Sequence, residues 1–263
     1  GKYKCLYFNV EAAQGAREDV FRGIRAILSE MAYRAEAFLK DDTVQNIWTG
    51  ILDRGGEDMA LNTVISQWSA KSELPLVLLI DEIDSLVGDT LISVLRQLRA
   101  GYDKRPALFP QSVVLCGVRD IRDYRIHSSR EKAVITGGSA FNIKAESLRL
   151  GDFSREETEA LYKCHTEETG QAFGSGVMNR VWELTQGQPW LVNALGYEVC
   201  FKVKANRDRS VTRTLEMADQ AKENLILRRE THLDQLADKL AEERVRKVIA
   251  PILAGGEYPD DIP

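Results

Sequence analysis

The residues best suited to chemistry are two adjacent carboxylates at the end of an unbroken apolar run. Leu76-Val-Leu-Leu-Ile80 is followed at once by Asp81-Glu82, then by Ile83-Asp84. A continuous apolar run of this length reads as a strand buried on both faces. Side chains leaving a strand in succession point to different sides. One carboxylate of such a pair can therefore face a divalent cation while its neighbour polarises a water molecule. Asp81 and Glu82 are the candidates for these two roles. The same residues also fit a structural role, a strand end running into an acidic helix N-terminus with Asp84 or Ser85 as cap.

The other reactive residue types form weaker patterns. Cys5, Cys116, Cys164 and Cys200 are far apart and make no Cys-x-x-Cys pair, and His127, His165 and His232 have no metal-binding spacing. They read as buried, reduced thiols and ordinary histidines of a cytoplasmic protein. Cys164 and His165 are neighbours on an expected helix and point about 100° apart, so they form no dyad by themselves. Arg119, Arg122, Arg125 and Arg130 follow an expected strand with acids between them. One of them can meet a phosphate, Arg119 first, while the rest read as solvated loop charges. A second basic stretch, Lys202, Lys204, Arg207, Arg209 and Arg213, lacks interleaved aromatics and reads as a solvated loop rather than a nucleic-acid surface.

The elements that position these residues divide at about residue 150. Residues 5–10, 76–80, 112–116 and 147–150 read as strands, with helices over 16–40, where Phe38 counts in the apolar stripe, over 57–70, and from an Asp89 cap to about residue 102. Gly50 and Gly55-Gly56 mark a loop. Strands 30 to 40 residues apart fit right-handed βαβ crossovers. All three longer strands are expected to be parallel, with 76–80 between 6–10 and 113–116. From residue 151 the periodicity is helical. Ser154 and Glu157 match a capping box over a helix ending at Gly170. Further helices follow over 176–185, from Pro189, and over 218–253, the last as one long or two linked helices, before the tail around Gly255 to Pro259. The fold class expected is α/β, a three-layer parallel sheet in 1–150 followed by an all-helical lid in 151–263.

Composition sets the bounds. The 263 residues are 44% apolar and 29% charged, with a net charge of −5. That is ordinary globular usage, and an acidic balance disfavours nucleic acid or anionic membrane as a partner of the whole surface. No apolar run is long enough to span a bilayer, and the first residues lack a signal-peptide core.

These motifs together resemble the AAA-like branch of P-loop ATPases, near the signal-transduction (STAND) and archaeal-type ATPases. Leu78-Leu-Ile-Asp-Glu82 resembles Walker B. Val113-Val-Leu-Cys-Gly-Val-Arg119 resembles the sensor-1 strand, with Arg119 at its tip. Gly187-Gln188-Pro189-Trp190-Leu191 resembles the lid motif whose proline packs near adenine. Phe141-Asn-Ile143 and then Leu148 to Phe153 resemble the passage into the lid. The resemblance implies ATP and Mg²⁺ as cofactors, Asp81 on the metal, Glu82 and Arg119 in catalysis, and Gln188 and Pro189 against the nucleotide. It implies a nucleotide-dependent molecular switch, with a protein partner or homo-oligomer. The alternatives are a degenerate, non-hydrolysing interaction scaffold and, on family analogy alone, a DNA-associated ATPase of a mobile-element or defence system.

One departure is large. The family's Gly-x-x-x-x-Gly-Lys-[Ser/Thr] phosphate loop is absent, and Gly1-Lys2-Tyr3 cannot be that motif. By position, residues 5–10 resemble the strand that follows the phosphate-loop helix, so the first strand is absent. The family's strand order places it between 113–116 and 147–150, a gap of about 9.6 Å, two strand spacings. The expectation is a fragment of a longer product, which relatives extend C-terminally into a winged-helix-like segment, or a gap filled by another segment.

Overall fold

The structure, a computed structural model, describes residues 1–143, 146–202, 207–228 and 243–253. The chain forms two compact units, Gly1–Leu148 and Arg149–Pro263.

The first unit is α/β. Strand β1 (Lys4–Asn9) leads through a 3₁₀ turn (Glu11–Ala16) into helices α1 (Val20–Leu39), α2 (Thr43–Gly55) and α3 (Glu57–Lys71). Strand β2 (Leu76–Asp81), a 3₁₀ turn (Ile83–Ser85), helix α4 (Gly88–Ala100) and strand β3 (Ser112–Leu115) follow. A hairpin of β4 (Arg125–Ser128) and β5 (Ala133–Thr136) and the short helix α5 (Gly137–Ala140) end the unit. The sheet order is β1-β2-β3, with both pairings parallel, as expected from the sequence. Leu6 stands opposite Leu78, Phe8 opposite Ile80, and Asn9 opposite Asp81.

Alternate residues of these strands have opposite fates. Leu6, Phe8, Leu76, Leu78 and Ile80 are buried in one core with the apolar stripes of α1 to α4, around Ile24, Leu28, Leu61, Trp68 and Leu95. On the other face Cys5 and Tyr7 are exposed, Val77, Leu79 and Asp81 only half-buried, and Val114 is 42% exposed. The expectation that 76–80 is buried on both faces is therefore corrected: the alternation is that of a sheet packed on one face. Gly23 sets the approach of α1 to α4, since a Cβ there would lie 2.4 Å from Thr90 Cγ2.

Several local readings change. Residues 146–150 form no strand: Ser147 Oγ donates to the Asp120 carboxylate, Leu148 and Leu150 are 79% and 86% exposed, and β3 pairs only with β2 among the described residues. A strand needs a ladder partner, and none stands beside this segment. The loop expected around Gly50 is helix α2, because Val44, Trp48, Ile51 and Leu52 bury one face and outweigh the cost of glycine. Phe38, counted with the α1 stripe, is 67% exposed beneath Arg34. Asp89 does not cap α4; the Glu18 carboxylate accepts its N–H at 2.9 Å, and Asp89 itself accepts from Ser128 Oγ and the Arg130 N–H of the hairpin. Of the thiols only Cys200 is buried; all four cysteines are free, and Cys5 and Cys164 are exposed.

The second unit is helical where it is described, apart from an isolated bridge between Phe173 and Arg213. It contains α6 (Arg155–Thr169), α7 (Val177–Thr185), α8 (Pro189–Tyr197), a π-helical turn (Glu198–Lys202), α9 (Leu215–Leu227) and α10 (Glu243–Leu253). The capping box of Ser154 and Glu157 forms with both bonds, Gly170 closes α6 at positive φ, and Pro189 opens α8. Its core joins Tyr162, Val181, Val192, Leu195, Val199, Ala221 and Leu225. The join expected between 218 and 253 and the tail near Gly255 lie outside the described residues. Among the described residues no helix is long and apolar enough to cross a membrane.

Asp41 ties the start of β1 to the helical layer. It accepts from Lys4 Nζ at 2.8 Å, the Trp68 indole N–H at 2.9 Å and the Thr43 N–H at 3.0 Å. Burial alone raises its proton affinity, but these three donors outweigh it and hold the carboxyl well below the usual range. Ionised Asp41 thus contributes stability that is present above its unfolded-state pKa, about 4, and is lost as pH falls below it. Asp41→Asn is expected to cost about 1.5–3 kcal/mol in urea unfolding at pH 7, with the difference from the parent shrinking below about pH 4.

Candidate functional site

The site is built where β2 ends. Backbone bonds fix its exit on both sides: the Val10 N–H donates to Asp81 O at 3.1 Å, the Cys116 N–H to Ile80 O at 2.8 Å, and the Ile83 N–H to Cys116 O at 3.0 Å. Because Leu78 and Ile80 fill the core, Asp81 falls on the open face. One of its carboxylate oxygens accepts from Tyr7 Oη at 2.7 Å and the other from the Glu82 N–H at 3.0 Å.

Glu82 turns the chain out of the sheet in the left-handed region, φ 57° and ψ 39°. For a residue with a side chain this conformation costs about 1–2 kcal/mol. It leaves the carboxyl exposed at the strand end. The Glu82 carboxyl is raised from its ordinary value, first by partial desolvation and then by repulsion from Asp84, Asp81 and Glu11. Asp84, a cap candidate in the sequence, caps no helix; its Oδ1 accepts the Val118 N–H at 3.4 Å. Ser85 lies inside the 3₁₀ turn before α4.

Arg119 is exposed in the loop after β3 and makes no hydrogen bond or ion pair among the described residues. Its charge acts on Tyr124, whose hydroxyl is buried and unpartnered and is pushed up to about 12 by burial first and then by Asp84, against the opposing pull of Arg119. Arg119 and the acids of the β2 exit are thus at the same end of the sheet. The remaining arginines of that stretch are spoken for or displaced: Arg122 pairs with Asp120 at 3.3 Å, Arg125 opens β4, and Arg130 pairs with Glu57 at 3.0 Å and Asp58 at 3.3 Å.

Gln188 and Pro189 belong to the second unit. Gln188 is the N-cap of α8, its Oε1 accepting the Leu191 N–H at 2.6 Å, and Pro189 is the first helical residue. Gly187 before them has φ 79°, and a Cβ there would lie 2.0 Å from Phe153 O, so only glycine fits the turn.

Sequence reasoning missed Tyr7. The signal was available in the alternation: Tyr7 is two residues before Asn9, the register partner of Asp81, and shares its face. Asp81 fits one ligand position of Mg²⁺, which is commonly held by one or two carboxylates plus water and phosphate oxygens. Among the described residues no three His, Cys, Asp or Glu side chains converge as a metal site, so the other ligands would come from water and phosphate. No phosphate loop exists in the sequence to cradle a triphosphate.

No protein-family model and no curated protein matches this sequence. Solved structures do. The Walker-type ATPase PABY2304 of Pyrococcus abyssi is similar over 97% of this chain and 74% of its own, with a TM-score of 0.53 and 15% identity. A point mutant of RuvB from Thermotoga maritima is similar over 84% of this chain, with a TM-score of 0.43 and 12% identity, and this chain spans 61% of its length. The fold is accordingly that of the Walker-type, P-loop ATPases.

The Tyr7–Asp81 bond has a direct readout. The Tyr7 hydroxyl is raised above 10.0, first by donating to Asp81 and then by slight burial and the carboxylate's charge. With tyrosine ring carbons labelled, NMR titration should show Tyr7 staying protonated beyond exposed tyrosines. Asp81→Asn should bring it back toward the ordinary value.

Proposed function

We propose that this chain is the larger part of an AAA-like ATPase of the STAND and archaeal type, a nucleotide-dependent molecular switch whose phosphate loop is supplied by polypeptide outside residues 1–263. The observation that carries the reading is the Asp81-Glu82 pair at the C-terminal end of β2, with Asp81 on the open sheet face and beside an edge of β3 that has no strand partner among the described residues. In open α/β sheets that end is where ligands bind. A strand and a helix are the two elements that flank a phosphate loop, and an unpaired strand edge with an uncovered face is where such elements pack. Similarity to a longer Walker-type ATPase supports the same reading.

With nucleotide bound, Asp81 would hold Mg²⁺ and Glu82 would polarise the attacking water, with Arg119 adding positive charge toward the terminal phosphate. On this reading residues 1–150 would be the nucleotide core and 151–263 the lid, which carries the Gln188-Pro189 turn. The four free cysteines agree with a cytoplasmic setting, and a homo-oligomer or protein partner would receive the switch. A second reading is favoured by a specific observation. Both oxygens of Asp81 already accept hydrogen bonds, and the sequence has no phosphate loop, as in a scaffold that no longer hydrolyses ATP.

Residues 1–263 alone should give no measurable Mg-ATP binding in micromolar calorimetry. With a segment carrying the phosphate loop added, binding should return. Glu82→Gln should then lower turnover about 100-fold or more while keeping affinity, since an amide cannot accept a proton. Asp81→Asn should weaken Mg-nucleotide binding itself. Unchanged hydrolysis in Glu82→Gln would return the pair to a structural role and favour the scaffold.

A further inference from the structure

We propose that the second unit carries a binding surface for single-stranded nucleic acid, built from the Tyr197–Phe201 ring stack and the cations Lys202, Arg207 and Arg209, with the buried Arg213 adding its charge. The inference is independent of the nucleotide reading, and failure of ATP binding leaves it untouched.

In sequence the basic stretch has no aromatics among its charges; the fold supplies them. Tyr197 ends α8 and Phe201 sits one turn later in the π-helical segment, a geometry frequent at functional sites. Their rings stack with centroids 5.8 Å apart and planes 16° from parallel. Both remain open to solvent, Tyr197 at 52% and Phe201 at 36%. The Arg209 guanidinium lies 4.6 Å over the Phe201 ring, and the His165 ring meets the same ring edge-on at 5.4 Å. Arg209 Nη1 donates to Gln171 Oε1 at 3.1 Å, which locks the guanidinium in place.

Arg155, Arg180 and Arg228 of the same unit each pair with an acid. Among the described residues Lys202, Arg207, Arg209 and Arg213 form no ion pair. Arg207 donates to Phe201 O at 2.8 Å. Arg213 donates to Val211 O at 2.7 Å and Asp208 O at 3.3 Å, is fully buried, and leaves Nη1 without a partner. The nearby Asp208 carboxylate is turned to Ser210, accepting from its N–H at 3.0 Å and its hydroxyl at 2.7 Å. Guanidinium groups satisfied by carbonyls and rings keep their full charge, here in a chain whose net charge is −5. An exposed aromatic stack beside cations that form no ion pair among the described residues is complementary to a ligand with both π-faces and phosphates. Tyr197 offers its outer face to a base, and Lys202 and Arg207, both exposed, meet the phosphates. A duplex hides its base faces, so the surface fits a single strand.

The test is fluorescence anisotropy of the full chain with a fluorescein-labelled oligothymidylate of twenty nucleotides at low and moderate salt. Binding is expected at low salt, weakening as salt rises. Tyr197→Ala should weaken it by about 5- to 160-fold, the range for loss of one stacked base, while Tyr197→Phe keeps it. Lys202→Gln and Arg207→Gln should each lower the salt slope by about 0.7. Both side chains and Tyr197 are exposed, and unchanged thermal melting of the variants separates binding from folding. The proposal is overturned by no binding at low salt, by parental affinity in Tyr197→Ala, or by equal affinity for the matching duplex. It is equally overturned if heparin or anionic phospholipid vesicles bind as tightly as the oligonucleotide and without dependence on Tyr197, which would make the cluster a general polyanion or membrane surface.

Discussion

A sheet packed on one face allows its residues only two destinations, and that constraint decides where everything else in the first unit stands. Leu6, Phe8, Leu76, Leu78 and Ile80 go into the core with α1 to α4. Period-two alternation then forces Cys5, Tyr7, Asn9, Val77, Leu79 and Asp81 to the opposite side. A shift of one residue in register would put Asp81 into the helical layer, where an unpaired carboxylate is untenable. The placement of the chemical group is thus a consequence of core packing. The same alternation delivers Tyr7 to Asp81, a hydroxyl and a carboxylate that are 74 residues apart in the chain.

Elements whose signals are local were legible in the sequence. The capping box at Ser154, the glycine stop at Gly170 and the proline start at Pro189 each satisfy or remove a backbone group within one turn, and each forms as expected. The apolar run ending in Asp81-Glu82 was legible too, because strand length and a sharp change to acids need no tertiary partner. Its two-sided burial was not. Leu76 to Ile80 would read identically with one face covered or two, and only the neighbours decide.

The misreadings share a cause: a local rule was outvoted by a distant contact. Gly50 lowers helix propensity by about 1 kcal/mol, yet the buried face of α2, anchored by Trp48 and Leu52, decides the segment. Asp89 has the type and position of a helix cap, but a hairpin some forty residues on supplies better donors, Ser128 Oγ and the Arg130 N–H, and Glu18 takes over the cap. The hairpin itself went unseen because its four-residue strands are too short to show a period. Ser147 to Leu150 has the composition of a strand and no ladder to join. In the second unit, Gln171 and His165 approach Arg209 only through the fold, so an aromatic and cationic cluster is invisible in a basic stretch read alone.

The open face also bears on how nucleotide binding and folding would be joined in the proposed switch. Tyr7, Leu79 and Val114 form one row across the three strands by register, and each is only partly covered. Completing the burial of such side chains is worth about 1 kcal/mol apiece. Pairing a strand against β3 adds ladder bonds of about 1 kcal/mol each. Ordering a strand and a helix costs about 1–2 kcal/mol per residue in backbone entropy alone. On these terms the ordering cost is the larger, so the apolar row and the ladder do not dock such a segment by themselves. A bound nucleotide that contacts both the phosphate loop on that segment and Asp81 on β2 adds free energy available only when the segment is docked. Docking and nucleotide occupancy would then favour one another by linkage, which is the coupling a molecular switch requires.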